Sequence, residues 1–478
     1  MDLIPTFKDV LMSYNLEYWF PLAGSGLIHW SLGFTYTFGN LVPYIASYMT
    51  IKGRYGITIC YICWIETIFM LFQGLFGYIS GKLEQKLGFF IVLVLGVLLA
   101  NLGLGFASYH IEDFLFFSFF YSIILGIAHG LIYPLTISYA INKYPAKMKG
   151  IISGILWGCR GLSMALLPCI QCKFLNPYSF RPDLKYKGNW LYSNTAILDR
   201  IPTMLYCMTL ASFISQILGV LTIFYGESNI KFEKASSKKS SDAEETIETK
   251  YQSSNNKTNL NSQQISYSTS NVQYKYPYKI LSSSYFKLLW YITFCTWPAV
   301  LYTQVYWKIH GMHITTLRDF QLARIACFIG ILHTISRLIW GLICEAFGPI
   351  NSLCIMTSFF ISGLLVFAFP LWEPFIAIQY TLGYSLLSVA HAGTFVVPPS
   401  TIIKVFGAKN FGPIFGLLFS ARILSSTVFC LVISLIFKYS KLEYIPIIIL
   451  FSSFVGFFLT IYIRDIESQE FQFEGSTV

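Results

Sequence analysis

Three arginines sit inside otherwise apolar stretches: Arg160 in "GIISGILWGCRG", Arg337 in "TISRLIWG" and Arg422 in "GLLFSARILSS". A guanidinium keeps its charge, and its planar fork matches a carboxylate through two parallel hydrogen bonds. At bilayer depth a lone charge costs about 2.5 to 3.5 kcal/mol, so such residues face a cavity or a partner. The chemistry open to them is to hold an anion. His333 precedes Arg337 by one helical turn on the same face, placed to relay a proton, to orient the arginine, or simply to pack. Arg160 has an alternative use as the ion-pair partner of Glu66.

The elements that must position these residues are membrane helices. The 478-residue chain is 55% hydrophobic and 12% charged, with a mean hydropathy of +0.59, whereas a soluble domain carries about 25% charged residues. Apolar runs of the length that crosses a bilayer recur at 21–49, 57–80, 88–108, 114–142, 149–172, 201–226, 284–308, 319–345, 350–370, 374–402, 411–438 and 443–463. They predict an all-α membrane protein of about twelve transmembrane helices. Arg160 follows Lys149 by 11 residues and Arg422 follows Phe411 by 11, placing each roughly 16 Å inside at 1.5 Å per residue. Arg337 precedes Glu345 by 8 residues, roughly 12 Å from the same side. All three therefore lie near one level.

Other chemistries find little support. The eleven cysteines fall mostly within expected spans, where they pack as small hydrophobes; neither disulfides nor a metal site is expected. No paired catalytic acids, nucleophile constellation or phosphate loop argues for an enzyme or a cofactor. The net charge of +10 belongs to loops, with no basic domain to engage nucleic acid. The N-terminal residues have no cleavable-signal pattern, so the first span is expected to direct insertion.

Residues 227–283 are polar and poor in large aliphatics, predicting a flexible linker between an N-terminal six-helix bundle (1–226) and a C-terminal one (284–464), with an acidic tail at 465–478. The halves repeat one another. "YPAKMKGIISGILWGCR" aligns without a gap on "FGAKNFGPIFGLLFSAR", pairing Ala146, Lys147, Gly150, Gly154 and Arg160 with Ala408, Lys409, Gly412, Gly416 and Arg422. "GKLEQKLG" from Gly81 and "GLICEAFG" from Gly341 follow nearly the same offset. Such duplication is typical of transporters built from two parallel repeats.

These motifs resemble the major facilitator superfamily, whose loop between spans 2 and 3 has the pattern G-x-L-x-D-R-x-G. Here Gly81, Lys86 and Gly88 stand in that loop, and Gly341, Glu345 and Gly348 in its second-half copy. The resemblance implies a cytosolic conformational latch, and hence cytosolic termini and linker. "SRLIWGLICEAFG" and "AKNFGPIFGLLFSAR" are similar to spans 8 and 11 of the branch of oxalate/formate antiporters and monocarboxylate transporters. That branch implies substrate roles for Arg337 and Arg422; Arg160 joins them through the internal repeat. The branch's span 1 lysine is replaced by Asn40, and the aspartate before its span 8 arginine by His333. Tyr36, Asn40, Tyr133, Gln304, Tyr302, Tyr384 and His391 are candidate wall residues. The expected function is secondary transport of small organic anions by alternating access: monocarboxylates such as pyruvate, lactate or formate, or a short dicarboxylate. A coupled proton or counter-anion would accompany them, across the plasma membrane or an organelle membrane. Another substrate such as an amino acid, or a receptor that has lost transport, would use the same features.

Overall fold

The computed structural model describes residues 19–54, 56–144, 149–248, 283–369, 375–407, 411–438 and 444–475. Among these, twelve helical rods follow one another. The first, α1, runs through Trp19–Leu32, a 3-10 turn at Gly33–Thr37, and Phe38–Ile51. Then come α2 (Ile59–Leu87), α3 (Phe89–Tyr109), α4 (Phe114–Ser118, Phe119–Ile124 and Leu125–Asn142), α5 (Lys149–Leu175) and α6 (Arg200–Glu248). The second half comprises α7 (Ser284–Leu301, Tyr302–Tyr306 and Trp307–Ile314), α8 (Asp319–Phe347), α9 (Pro349–Ala368), α10 (Ile376–Gly393 and Val397–Phe406), α11 (Phe411–Lys438) and α12 (Ile445–Gly475). Between α5 and α6 a small hairpin pairs β1 (Leu184–Tyr186) with β2 (Asn189–Leu191).

Ten of these rods are long and apolar enough to cross a membrane; the protein is an integral multi-pass membrane protein. The other two, α1 and α7, are broken by a 3-10 turn and a π segment. The expected flexible segment from residue 227 differs in its described part, because α6 continues without a break to Glu248. Residues 249–282, the tail beyond 475, and the aligned residues Ala146, Lys147, Ala408 and Lys409 lie outside the described residues.

The packing repeats with a shift of six helices. In the first half α1 packs on α5 and α6, and α4 on α2 and α3; in the second, α7 packs on α11 and α12, and α10 on α8 and α9. Across the halves α5 meets α8 and α2 meets α11, the two contacts that this shift exchanges. Irregular backbone follows the same symmetry: the 3-10 turn in α1, π segments in α4 and α7, and the interruption between Gly393 and Val397 in α10. At membrane depth non-helical backbone persists only where protein or a cavity covers it. Accordingly, 56% and 61% of the most apolar windows of α4 and α10 are buried, against 28% and 33% for α6 and α12. The broken α4 and α10 thus lie inside the bundle together with α5, 56% of whose window is also buried, while α6 and α12 face lipid.

Two glycines show why the sequence permits this geometry. Gly88 and Gly348 have φ of +83° and +80°, a backbone that L side chains rarely adopt; each turns the chain directly from one helix into the next. The α5 and α8 rods cross so closely at Gly330 that a Cβ there would lie 2.6 Å from the Ala165 backbone nitrogen. Gly330→Val should therefore lower the melting temperature or the yield of monodisperse protein in detergent. Gly105→Ala, whose Cβ would meet only Thr209 Cγ2 at 3.6 Å, should leave both nearly unchanged.

Candidate functional site

The three arginines come from α5, α8 and α11, and each is at least 95% buried. Shared aromatic rings gather them. The Arg160 guanidinium lies 4.6 Å from the Tyr36 ring and 5.3 Å from Tyr133. Arg337 stands 5.8 Å from the same Tyr36 ring, and 4.8 Å from both Trp157 and Phe395. Arg422 lies 6.0 Å from Phe395, and 4.6 Å from Trp297 and Phe419. Tyr36 thus links the first pair and Phe395 the second. Arg160 and Arg422, which correspond in the internal repeat, take equivalent places on equivalent helices.

Hydrogen bonds fix the guanidinium groups of Arg337 and Arg422 without neutralising them. Arg337 Nη1 donates to the Trp157 carbonyl at 2.8 Å, and Nη2 lies 2.9 Å from His333 Nε2. His333 Nδ1 in turn meets the Ser388 carbonyl at 3.0 Å, and its ring centroid is 4.7 Å from that of His391. Arg422 Nη2 donates to the Thr394 carbonyl at 3.1 Å, an acceptor made available where α10 is interrupted. In all three arginines Nε is buried and has no hydrogen-bond partner. The expected alternative of an Arg160–Glu66 ion pair is not formed; Glu66 Oε1 accepts instead from Gln304 Nε2 at 3.0 Å.

Of the expected wall residues, Tyr36 and Tyr133 lie against Arg160, and His391 lies beside His333, which itself meets Arg337. Tyr302 and Tyr384 do not take part: Tyr302 bonds His310, and Tyr384 donates to the Thr303 carbonyl at 3.2 Å. Asn40 belongs to a second polar cluster toward the end of the bundle opposite the α6–α7 connection. There Lys308 Nζ lies 2.7 Å from Asp319 Oδ1, both side chains at most 1% exposed. Asp319 Oδ2 accepts from the Tyr44 hydroxyl, from Asn176 Nδ2 at 2.8 Å and from Cys172 Sγ at 3.3 Å. Lys308 donates to Asn40 Oδ1 at 2.9 Å and sits 4.4 Å from the Tyr44 ring. Asn40 donates to Gln171 Oε1 at 2.9 Å, and Gln171 to Thr37 Oγ1 at 2.8 Å. Thr37 is the neighbour of Tyr36, so polar contacts run from Asp319 to the edge of the arginine cluster. Above Asp319 opens a cavity of about 220 Å³ lined by Arg181, Trp190, Tyr192, Met312 and Leu317.

Sequence reasoning assigned Lys308 and Asp319 no role, since they stand at the last position of span 7 and the first of span 8. In the structure α7 continues beyond its π segment to Ile314, which draws Lys308 inside. The available signal was the "YWKIHGMHI" stretch, apolar enough on both sides of the lysine to carry the helix onward.

The expected latch residues lie at the other end. Lys86 and Glu345 are exposed, and neither forms an ion pair among the described residues. A Cβ at Gly81 or Gly341 would meet nothing within 4 Å. In this conformation Gly81 and Gly341, both within helix ends, make no close contact there, while hydrogen bonds between the halves join the end bearing Lys308 and Asp319.

Similarity to known proteins agrees with this architecture. Two Toxoplasma gondii proteins, apicoplast pyruvate carriers 2 and 1, are 23% and 24% identical to the chain, over 88% and 85% of its length and 78% and 81% of their own. Among solved structures, a D-xylose–proton symporter superposes with a TM-score of 0.65 at 10% identity, covering 94% of this chain and 97% of the other. The xylose transporter XylE from E. coli, in a partially occluded inward-open conformation, superposes at 0.62 with 10% identity, covering 94% and 98%. An outward-facing bacterial homologue of the iron transporter ferroportin gives 0.55 at 13% identity, covering 94% and 99%. These structures share the fold. The Major Facilitator Superfamily profile matches residues 29–430, and the chain belongs to that superfamily of membrane transporters.

Proposed function

We propose that this transporter carries small monocarboxylates, with pyruvate the foremost candidate. The observation that carries the reading is the set of three buried guanidinium groups whose Nε–H donors all lack an acceptor. A carboxylate binds a guanidinium side-on through Nε and one Nη, two parallel charge-assisted bonds. Each arginine has the first donor free. The aromatic faces around them contribute about 0.5 to 2 kcal/mol per cation–π contact, less than the several kcal/mol needed to desolvate a cation. An anion supplies the difference. Packed rings of Tyr36, Tyr133, Trp157 and Phe395 suit a ligand with a short apolar remainder better than a polyhydroxylated one, which needs many polar partners. The two Toxoplasma gondii relatives are named pyruvate carriers, which supports the same substrate class and the monocarboxylate branch.

Transport by alternating access requires the Lys308–Asp319 end to open. Asp319 and Lys308 belong to the second half, whereas Asn40, Tyr44, Cys172 and Asn176 belong to the first. Opening separates these contacts and admits water from the cavity above. The ion pair itself travels as a unit within one half. Its role in this cycle is to let a gate of opposite charges close as a neutral whole.

Two outcomes are expected. Arg422→Gln, purified as a folded protein and placed in proteoliposomes, should lose uptake of labelled pyruvate. Removing one partner of a buried charged pair costs about 2 to 5 kcal/mol, and thus at least roughly a thirtyfold loss of affinity. Unimpaired uptake would refute the site. Asp319→Asn, which strands the buried lysine at a cost of about 3 to 5 kcal/mol, should speed labelling of Cys172 by a membrane-impermeant maleimide, read by mass spectrometry. The apolar pair Lys308→Met with Asp319→Leu should slow it again.

A further inference from the structure

Glu66 is the buried acid that neither the arginine cluster nor the gate uses. It lies on α2, 1% exposed, at the interface where α2 meets α7 and α11. Its Oε1 accepts one bond, from the neutral amide of Gln304 in the other half, and its Oε2 is buried without a partner. No cation lies within ion-pair distance among the described residues. The titratable groups around it are Tyr121 on α4, Arg160 on α5 and Cys430 on α11, the last bonded to the neighbouring Thr67 at 2.9 Å. Further along the same interface His129 packs against Phe69, and Tyr306 of α7 packs on Phe429. Of all these, Arg160 is the one permanent charge, and it forms no ion pair with the carboxylate, whose hydrogen bond comes from Gln304.

The contrast with Asp319 is informative. Both carboxylates are dry, but Asp319 receives a lysine, a tyrosine hydroxyl, an amide and a thiol. A lysine ammonium stands at ion-pair distance from it. Glu66 receives one amide. A carboxylate so placed is stable in two circumstances: with a proton on its free oxygen, or with the charge of Arg160 uncommitted nearby.

We propose that Glu66 is the binding site for a proton cotransported with the substrate anion, the two ligands being coupled through Arg160. With the arginine cluster empty, Arg160 compensates an ionised Glu66. When a carboxylate occupies Arg160, that charge is spent, and a proton from water binds Glu66 Oε2 to restore neutrality. Release of the anion frees Arg160, and the proton leaves. By linkage each ligand strengthens binding of the other. The bond from Gln304 places the protonated acid between the halves, where movement of α7 against α2 exposes it to one side at a time. The coupling rests on the monocarboxylate reading above, whereas the protonation of Glu66 itself does not.

The test is made on wild type and Glu66→Gln, an isosteric change that keeps a partner for Gln304. In proteoliposomes an inward proton gradient of one pH unit should drive wild-type accumulation of labelled pyruvate by up to about tenfold over the no-gradient level. In Glu66→Gln that ratio should fall to about one, whatever the absolute rate. A wild-type ratio of one, or a variant that keeps the wild-type ratio, overturns the proposal. Infrared difference spectra of the purified proteins provide the second measurement. Adding pyruvate should produce the carbonyl stretch of a protonated acid in wild type and not in Glu66→Gln. If wild type transports no pyruvate, the monocarboxylate reading and the coupling fall together. Acid titration without substrate then decides the residue: a carbonyl band present in wild type and absent from Glu66→Gln keeps Glu66 as a proton site, and its presence in both removes it.

Discussion

A permanent positive charge buried without a counter-ion is the constraint to which the rest of the structure answers. Arg160, Arg337 and Arg422 are inside the bundle at once, and no acid forms an ion pair with them among the described residues. The protein holds them by means short of neutralisation: π faces, backbone carbonyls and one imidazole. Each device restrains a guanidinium while leaving its charge and one donor in place. A structural arginine would be paired with a carboxylate, since breaking a buried pair costs several kcal/mol. Leaving three unpaired is intelligible if the missing anion is the cargo of the proposed cycle.

That constraint also accounts for where the backbone is irregular. The carbonyls that hold the guanidinium groups come from both kinds of backbone: Trp157 lies within the continuous α5, whereas the Thr394 carbonyl is released where α10 breaks after Gly393. The 3-10 turn of α1 begins just before Tyr36 and ends with Thr37, placing the ring at two arginines and the hydroxyl on Gln171. The four interrupted rods occupy equivalent places in the repeat. Duplication thus brought the same kind of break to the centre from four directions, and the charged rods α5, α8 and α11 close the ring around it.

The architecture was legible in the sequence because burial in lipid leaves a coarse and redundant signal. Twelve apolar runs became twelve rods, and the pairing of Arg160 with Arg422 was visible as a constant offset. In the structure the rings of Tyr36 and Tyr133 lie against Arg160, and His333 lies against Arg337. What was not legible depended on a few residues of helix length. The apolar pattern ends span 7 at Lys308, whereas α7 continues through a π segment to Ile314, a feature with no strong local signature. Asn40 and Gln304 read as inward-facing polar residues, but periodicity cannot say which partner an amide meets. In the fold they answer Lys308 and Glu66. The pairing of Arg160 with Glu66 was plausible from helix adjacency alone, and it fails on a side-chain distance that adjacency does not fix.

The gate and the arginine cluster lie on one rod. Asp319 begins α8 and Arg337 follows it by 18 residues, roughly 27 Å along the axis. Between them, Gly330 brings the α8 backbone against Met164 and Ala165 of α5, a close approach of the two halves. A rod that rocks about such a contact moves its two ends in opposite directions. Parting Asp319 from Tyr44 and Asn176 then swings the far end of α8, with Glu345, toward the first half, where Lys86 ends α2. The lack of close contact at Gly81 and Gly341 at that end is what a conformation joined at Asp319 requires. In the proposed cycle no wire of side chains has to carry the signal, because stiffness of the helix and one glycine contact suffice. Arg337, nearer the contact than either end, stays beside Arg160 throughout, and the anion is passed from one opening to the other without leaving its charges.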